Sequence, residues 1–106
     1  MQNEEMREKL AEVRDAIDGQ GGYLLETGFR FPLDIEENLS VVEEWLREQP
    51  CDFALEFHEK GFCAWWWLRQ GDADLGAAMG CDAEEEARAL AAIEAVKAVK
   101  ALEGEQ

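Results

Sequence analysis

Apolar residues recur at helical spacing in two segments of the first half of the chain. The first segment places them at i, i+4, i+7 and i+11, as Met6, Leu10, Val13 and Ile17, and the second as Ile35, Leu39, Val42 and Leu46. This spacing predicts an amphipathic helix over about residues 3–18 and another that begins at Asp34 and is closed by Pro50. The stretch between them is rich in glycine and has no period, which predicts a loop with at most a short extended piece.

The apolar period changes to two in the middle of the chain. The run Phe53–His58 alternates apolar and polar residues, which is typical of a half-buried strand. The turn Lys60–Gly61 leads into a second run over residues 62–69, and a turn near residue 71 leads into a short third run, Leu75–Met79. The small side chains of the third run suggest that a neighbouring element approaches closely. We therefore predict an antiparallel three-stranded meander.

A third helix follows the predicted strands. Asp82 and Glu85 have the spacing of a capping box, and the alanine-rich run after them has high helix propensity to about Leu102. The element order is therefore α-α-β-β-β-α. We predict one α+β domain over residues 1–106, with the sheet packed between helices in a helix–sheet–helix sandwich. In this prediction the N-terminal helix is joined by the glycine-rich loop to a body over residues 34–102.

Three consecutive tryptophans, Trp65, Trp66 and Trp67, lie in the second predicted strand. Successive side chains on a strand point to opposite faces of a sheet, so both faces carry tryptophan. If helices cover both faces, all three rings belong to the core, and this is the interpretation that we favour. If helices cover only one face, the exposed rings indicate an interaction surface.

The chain is strongly acidic, with 25 acidic and 10 basic residues and a formal net charge of −15 at pH 7. Hydrophobic residues make up 47% of the chain, which is more than a disordered acidic tail carries, so the charge is expected on the surface of a folded body. A field of this sign repels phosphates and argues against direct nucleic-acid binding. No run approaches the length of a membrane span and the N-terminus does not resemble a signal peptide, which predicts a cytoplasmic protein without a membrane partner.

Residue types that carry catalysis or bind metals are scarce. His58 is the only histidine, and Ser40 stands alone in a predicted helix. Cys51, Cys63 and Cys81 match neither a zinc-binding spacing nor a disulfide framework. We predict that these cysteines are reduced, partly buried thiols, and that the protein has no catalytic residues, no metal and no cofactor.

Several segments together resemble the phage ABA sandwich domain, over about residues 32–97. The segments are Pro32–Ile35, the runs Val41–Glu43 and Trp45–Leu46, the aromatic hairpin Phe53–Leu68, the short small-residue strand, and the alanine-rich helix Asp82–Val96. The resemblance implies a small phage or prophage accessory protein, located in the bacterial host cell, with helix–sheet–helix layering and no established activity. Members of that family are usually far less acidic.

Compact and strongly acidic phage proteins are similar in kind to anti-CRISPR and other anti-defence inhibitors that imitate the DNA backbone. A nucleic-acid-binding groove lined by Lys and Arg derives much of its affinity from phosphate contacts, and a rigid row of carboxylates can occupy it instead. The expected partner is therefore a host nucleic-acid-binding protein such as a CRISPR effector.

Two groups of acidic residues are the candidates for such binding. Acids on the outer arc of the second helix repeat at about 6 to 10 Å; they are Glu36, Glu37, Glu43, Glu44 and Glu48. The second group comprises Asp72, Asp74, Asp82, Glu84, Glu85 and Glu86. The ordinary interpretation of each residue is a solvated helix face or, from Asp82 to Glu86, a favourable charge at a helix N-terminus.

Other classes of function share the acidic character. An immunity protein or antitoxin neutralises a basic toxin, and another kind of interaction module would use an aromatic sheet surface around Trp65 and Trp67. A halophilic source is a third explanation, and it predicts folding that depends on salt.

Overall fold

A computed structural model of the chain describes residues 3–18, 23–24, 29–30, 35–71 and 73–104. The elements, in chain order, are α1 (Asn3–Asp18), β1 (Tyr23–Leu24), β2 (Phe29–Arg30), α2 (Ile35–Arg47), β3 (Cys51–His58), β4 (Gly61–Leu68), β5 (Asp74–Cys81) and α3 (Glu84–Gly104). The α+β class and the order of the three helices and three long strands are confirmed. Asp34, the predicted start of the second helix, lies outside the described residues, as does Asp72.

The segment predicted as a loop contains a minimal ladder. Strands β1 and β2 have two residues each and pair antiparallel, with Tyr23 opposite Arg30 and Leu24 opposite Phe29. The short extended piece that the sequence suggested is therefore a two-stranded one.

The three long strands form an antiparallel sheet in the order β3-β4-β5. Two tryptophans of the central strand have these cross-strand partners: Trp66 lies between Phe53 and Gly76, and Trp65 between Ala54 and Ala77. Because neighbouring residues of a strand face opposite sides, Trp65 and Trp67 share one face of the sheet, and Trp66 lies on the other. Strand β5 is longer than the predicted Leu75–Met79. A register irregularity that includes Gly80, with a φ of 68°, lets it continue to Cys81.

The hydrophobic core lies between the helices and the face of the sheet that carries Trp66. Its buried side chains come from all three helices and from the sheet, and include Met6, Leu10, Val13, Leu39, Val42, Leu46, Ala64, Trp66, Leu75, Ala78, Ala91, Ala92, Ala95 and Val96. Helix α3 is the central helix, since it contacts β4 and β5 as well as α1 and α2. Contacts on several sides explain why its sequence is apolar around much of its circumference.

Gly76 marks the closest approach of α3 to the sheet. A Cβ atom at this position would lie 2.5 Å from the backbone nitrogen of Ala95 and 2.6 Å from the carbonyl oxygen of Ala91. Only glycine lets the two backbones come this close. The close approach predicted from the small residues of the third strand is therefore confirmed, and the approaching element is α3.

The favoured interpretation of the tryptophans is only partly correct. Trp66 is fully buried and packs against Phe53, with ring centroids 4.7 Å apart. Trp65 and Trp67 are only partly buried, and they face each other across 6.3 Å on the opposite side of the sheet. Among the described residues, the apolar core cluster occupies the Trp66 side, so the expected coverage of both faces by helices is not what these elements form.

Candidate functional site

Glu43 does not belong to the exposed acidic row in which the sequence analysis placed it. Its side chain is 2% exposed, and both carboxylate oxygens accept hydrogen bonds from Arg88 of α3, one of them from Nε at 3.1 Å. Glu43 lies only about 40° around the helix axis from Leu39, at the border of the buried stripe. The packing of α3 widens that stripe, and Arg88 supplies the counter-charge, so Glu43 serves the interface between α2 and α3.

The two predicted acidic groups meet where α2 and α3 begin. Glu36 and Glu37 occupy the first turn of α2, and Glu84, Glu85 and Glu86 the first turn of α3. The carboxyl groups of Glu36 and Glu85 lie close enough to share a hydrogen bond when one of them is protonated. This contact between the groups was not visible in the sequence, because the two residues are far apart along the chain and only the packing of the helices brings them together.

The electrostatics at this contact reflect crowding of like charges. Burial, followed by the hydrogen bond and the negative charge of Glu36, raises the pKa of Glu85 above its ordinary value. Arg7 and Arg88 act in the opposite direction without cancelling this effect. The first turns of α2 and α3 therefore form a locally negative surface in which protonation of one carboxyl relieves repulsion.

A row of three exposed glutamates follows α2, about 80 to 120° around the helix axis from Glu36, and its last member, Glu48, directly follows the final residue of the helix. Glu37, Glu44 and Glu48 are all exposed, and they lie within about 40° of one another around the helix axis, with rises of about 10 and 6 Å between them. Arg14 of α1 approaches Glu37 at 3.7 Å and donates a hydrogen bond to Asn38 at 2.9 Å, which ties α1 to α2. We use the name acidic helix surface for the following set: Glu36, Glu37, Glu44, Glu48, Glu84 and Glu85.

The second predicted group does not form one cluster. Asp74 begins β5, whereas Glu84 and Glu85 follow the other end of that strand. A strand of eight residues spans roughly 23 Å, so Asp74 is separated from these glutamates by about the length of the sheet. Asp82 is exposed just before α3, Glu86 is partly exposed in its first turn, and Asp72 lies outside the described residues.

Asp74 belongs instead to the side of the sheet that carries Trp65 and Trp67. It lies opposite Trp67 on β5, and Asp52 lies opposite Trp67 on β3. The Asp52 carboxylate accepts hydrogen bonds from Arg69, at 3.2 Å from Nη2 and 3.3 Å from Nε. We use the name tryptophan face for the surface formed by Asp52, Ala54, Trp65, Trp67, Asp74 and Ala77.

The described residues offer little for metal binding. His58 and Glu56 lie 3.9 Å apart on the hairpin, both exposed. Nowhere in the described part of the chain do three or more His, Cys, Asp or Glu side chains come together as a metal site would require. Cys51, Cys63 and Cys81 are not joined by disulfides in this structure and all are buried, so their burial is more complete than predicted.

Comparison with known proteins does not assign this chain to a family. Neither family models nor curated proteins nor solved structures gave a significant match to this chain. The resemblance to the phage ABA sandwich domain therefore stays a prediction. Among the described helices, none has the length and apolar character needed to cross a membrane.

Proposed function

We propose that this chain is a non-enzymatic inhibitor of the anti-defence type, as encoded by phages, which acts in the cytoplasm of the bacterial host. Its partner is a basic, nucleic-acid-binding host protein such as a CRISPR effector. The acidic helix surface occupies the partner's phosphate-binding groove. The observation that carries the proposal is the contact between the acidic first turns of α2 and α3, together with an exposed row of glutamates along α2, in a chain whose formal net charge is −15.

The fold supports this proposal by fixing the carboxylates in place. Glu43 and Arg88 join α2 to α3 through two hydrogen bonds, and Arg14 joins α1 to α2. Carboxylates held on rigid helices bind without the entropy cost of ordering a flexible acidic segment. A groove that gains its affinity from phosphate contacts then meets charges already arranged in a row.

The acidic helix surface is also costly for the isolated protein. Like charges within one helix turn, and between the first turns of two helices, repel one another. Helix N-termini favour negative charge and offset part of this cost for Glu36 and Glu85. The row along α2 has only one basic residue on its own helix, Arg47, and a cationic partner would relieve the repulsion.

The test begins with capture of the partner. The tagged protein is incubated with lysate of a CRISPR-bearing bacterium at low and at high salt, and bound proteins are identified by mass spectrometry. The captured effector is then purified, and its binding to a labelled DNA duplex is measured with increasing amounts of this protein. We expect competitive loss of DNA binding that weakens steeply as salt is raised.

Two matched variants assign the effect to the acidic helix surface. E37Q/E44Q/E48Q removes three charges from the α2 row, and E5Q/E12Q/E59Q removes three from exposed positions elsewhere. We expect the first variant to lose competition by at least tenfold and the second to stay close to the parent protein. Equal loss in both variants, or no dependence on salt, would refute the proposed surface.

The tryptophan face supports a second candidate function. An immunity protein, antitoxin or other interaction module would bind its partner through Trp65 and Trp67, which are partly exposed and lie next to each other. Aromatic rings of this kind are enriched among the residues that dominate binding energy. A captured partner that resists high salt and is lost on W65A or W67A would favour this function over the first.

A further inference from the structure

The tryptophan face has a regular arrangement of rings, small side chains and carboxylates. Ala54 and Ala77 lie on either side of Trp65, and Asp52 and Asp74 on either side of Trp67. Because alanine side chains are short, the indole of Trp65 has only small neighbours on both adjacent strands. The indole of Trp67 stands between two carboxylates. The two rings are 6.3 Å apart and tilted by 33°, which leaves ring surface accessible to a flat or elongated side chain.

We propose that the tryptophan face binds an extended basic segment of a partner protein, with an arginine or lysine side chain over the indoles and its charge directed to Asp74. Cations are attracted to the faces of indole rings within about 6 Å of the ring centre. A guanidinium also stacks on flat aromatic rings and pairs with carboxylates in two-pronged geometry. The face presents both recognition elements side by side.

Arg69 shows that this surface accommodates a guanidinium. Its side chain is exposed, and it donates hydrogen bonds from Nε and Nη2 to Asp52, on one side of Trp67. On the other side of Trp67, Asp74 is exposed and has no ion pair or hydrogen bond of this kind within the described ranges. A guanidinium from a partner would reproduce at Asp74 the pairing that the chain itself makes at Asp52.

Charge complementarity selects this occupant over others. A second copy of the chain would bring another formal charge of −15, and its carboxylates at Asp52 and Asp74 would come close to the same carboxylates of the first copy. Single-stranded nucleic acid stacks its bases on aromatic side chains, but its phosphates would meet the same carboxylates. A basic polypeptide gains from the rings and from the charges together.

This inference rests on the second candidate function, since it names the chemistry of the partner for that face. It does not need the acidic helix surface. The variants below therefore separate failure of the inference from failure of the proposed DNA mimicry.

The test follows the four indole N–H signals of the full ¹⁵N-labelled chain by NMR. Single tryptophan-to-phenylalanine variants assign the signals. The probe is a synthetic acetylated peptide of alternating arginine and alanine, with alternating lysine and alanine and alternating glutamate and alanine as comparison peptides, at physiological salt. We expect saturable shifts of the Trp65 and Trp67 signals with the arginine peptide, smaller shifts with the lysine peptide, and none with the glutamate peptide. The signals of Trp45 and of the buried Trp66 should stay in place.

Variants on the face give the expected magnitudes. W65A and W67A should each weaken binding of the arginine peptide by about three- to thirtyfold, and D74N by about threefold. D82N removes an exposed aspartate that lies off the face and should have no more effect than the loss of one charge. Thermal unfolding confirms that each variant folds, and W65F and W67F, which keep a weaker aromatic face, replace any alanine variant that does not.

Three results would overturn the inference. Equal affinity of the parent, W65A and W67A would show that the peptide is held by the overall charge alone. Indole signals that do not respond, with rings protected from a soluble quencher, would show that another segment of the chain covers the face. A dimer that W67A dissociates would show that a second copy occupies it. The variant E37Q/E44Q/E48Q should bind the peptide almost as the parent does, so loss in that variant would place the peptide on the acidic helix surface instead.

Discussion

Glu43 of α2 and Arg88 of α3 form a two-pronged ion pair across the interface between their helices. The carboxylate is 2% exposed, whereas the guanidinium side chain is 26% exposed and lies 4.0 Å from Glu84 as well. The hydrogen bonds with Glu43 are the largest reason why the pKa of Arg88 is raised further. The two partners are therefore unequal, because Arg88 has solvent and a second carboxylate available and Glu43 depends on Arg88.

This inequality predicts unequal costs of removing each partner. R88M leaves a buried carboxylate without its counter-charge and should lower the free energy of unfolding by about 3 kcal/mol. E43M leaves an arginine that can turn to Glu84 and water, and should cost about 1 kcal/mol. The double variant replaces the pair by two apolar side chains and should be more stable than R88M. Urea unfolding followed by tryptophan fluorescence gives all three values.

A matched control for this comparison is R47M, which removes an exposed arginine from α2 and should change stability by less than about 0.5 kcal/mol. If E43M lowers the free energy of unfolding as much as R88M does, and the double variant is no more stable than R88M, then Glu43 does not depend on Arg88 more than Arg88 depends on Glu43. Burial of Glu43 would then rest on other contacts.

The contact between Glu36 and Glu85 predicts how stability changes with pH. Because the pKa of Glu85 is raised in the folded state, the unfolded chain loses this proton first as pH rises from about 4. The folded state binds more protons in that range, so the stability that this group contributes at low pH is lost as pH rises through the raised pKa. E85Q keeps a neutral side chain at every pH. Its free energy of unfolding, measured by urea unfolding at each pH, should therefore exceed that of the parent near neutral pH and approach it in acid, with a difference under about 1 kcal/mol because the site is partly solvated.

E86Q is the control for Glu85, since it removes a charge from the same first turn of α3 and loses the same favourable interaction with the helix N-terminus. E86Q should not show the gain in stability near neutral pH that is expected of E85Q. A parallel offset of both variants at all pH values would mean that the contact with Glu36 does not govern the titration.

The features that could be predicted from the sequence were those that depend on neighbouring residues along the chain. The periods of apolar residues predicted the first two helices and the meander, the capping-box spacing and alanine content predicted the third helix, and the small residues at Gly76 predicted a close packing contact. Glu43 was misplaced because its position on the helix is a border one, and only the partner helix decides whether a border position is buried. The contact of Glu36 with Glu85 and the separation of Asp74 from Glu85 depend in the same way on how elements distant in sequence pack.

For the three tryptophans, too, the sequence pattern did not predict how the helices pack on the sheet. Alternation along β4 established that Trp66 and its two neighbours face opposite sides of the sheet, and this is what the register shows. Which side the helices cover could not be read from the alternation, because both sides carry large aromatic rings. The answer depends on α3, whose alanines pack closely against the side of Gly76 and Ala78.

Gly76 predicts a large cost for a single added methyl group. In G76A the new Cβ would meet the backbone of Ala91 and Ala95, which cannot rotate away as a side chain would. Helix α3 must move outward from the sheet, and we expect a loss of about 2 to 3 kcal/mol in the free energy of unfolding. Thermal or urea unfolding measures it.

Gly71 provides the comparison for Gly76. It has open space around it and a positive φ of 84°, so G71A brings backbone strain without a clash and should cost about 1 kcal/mol. Equal costs for the two variants would show that conformation, and not the approach of α3, explains the glycine in β5.

The three buried cysteines predict a protein whose thiols are slow to react. Cys51 is 3% exposed and donates its thiol hydrogen to the carbonyl oxygen of Leu46, with 3.0 Å between sulfur and oxygen. Burial is the main cause that raises the pKa of both Cys51 and Cys81, and Cys63 is 1% exposed. Since the thiolate is the reactive form, a disulfide reagent at mildly alkaline pH should modify the folded chain far more slowly than a small thiol. In concentrated urea all three cysteines of the chain should react at once.

The variant E59C is the control. It places a thiol at an exposed turn, so it should add one fast-reacting group and show that the reagent reaches the folded surface. Fast reaction of a native cysteine would mean that the sheet or its contact with α2 opens readily, and that the burial described for that residue does not hold in solution.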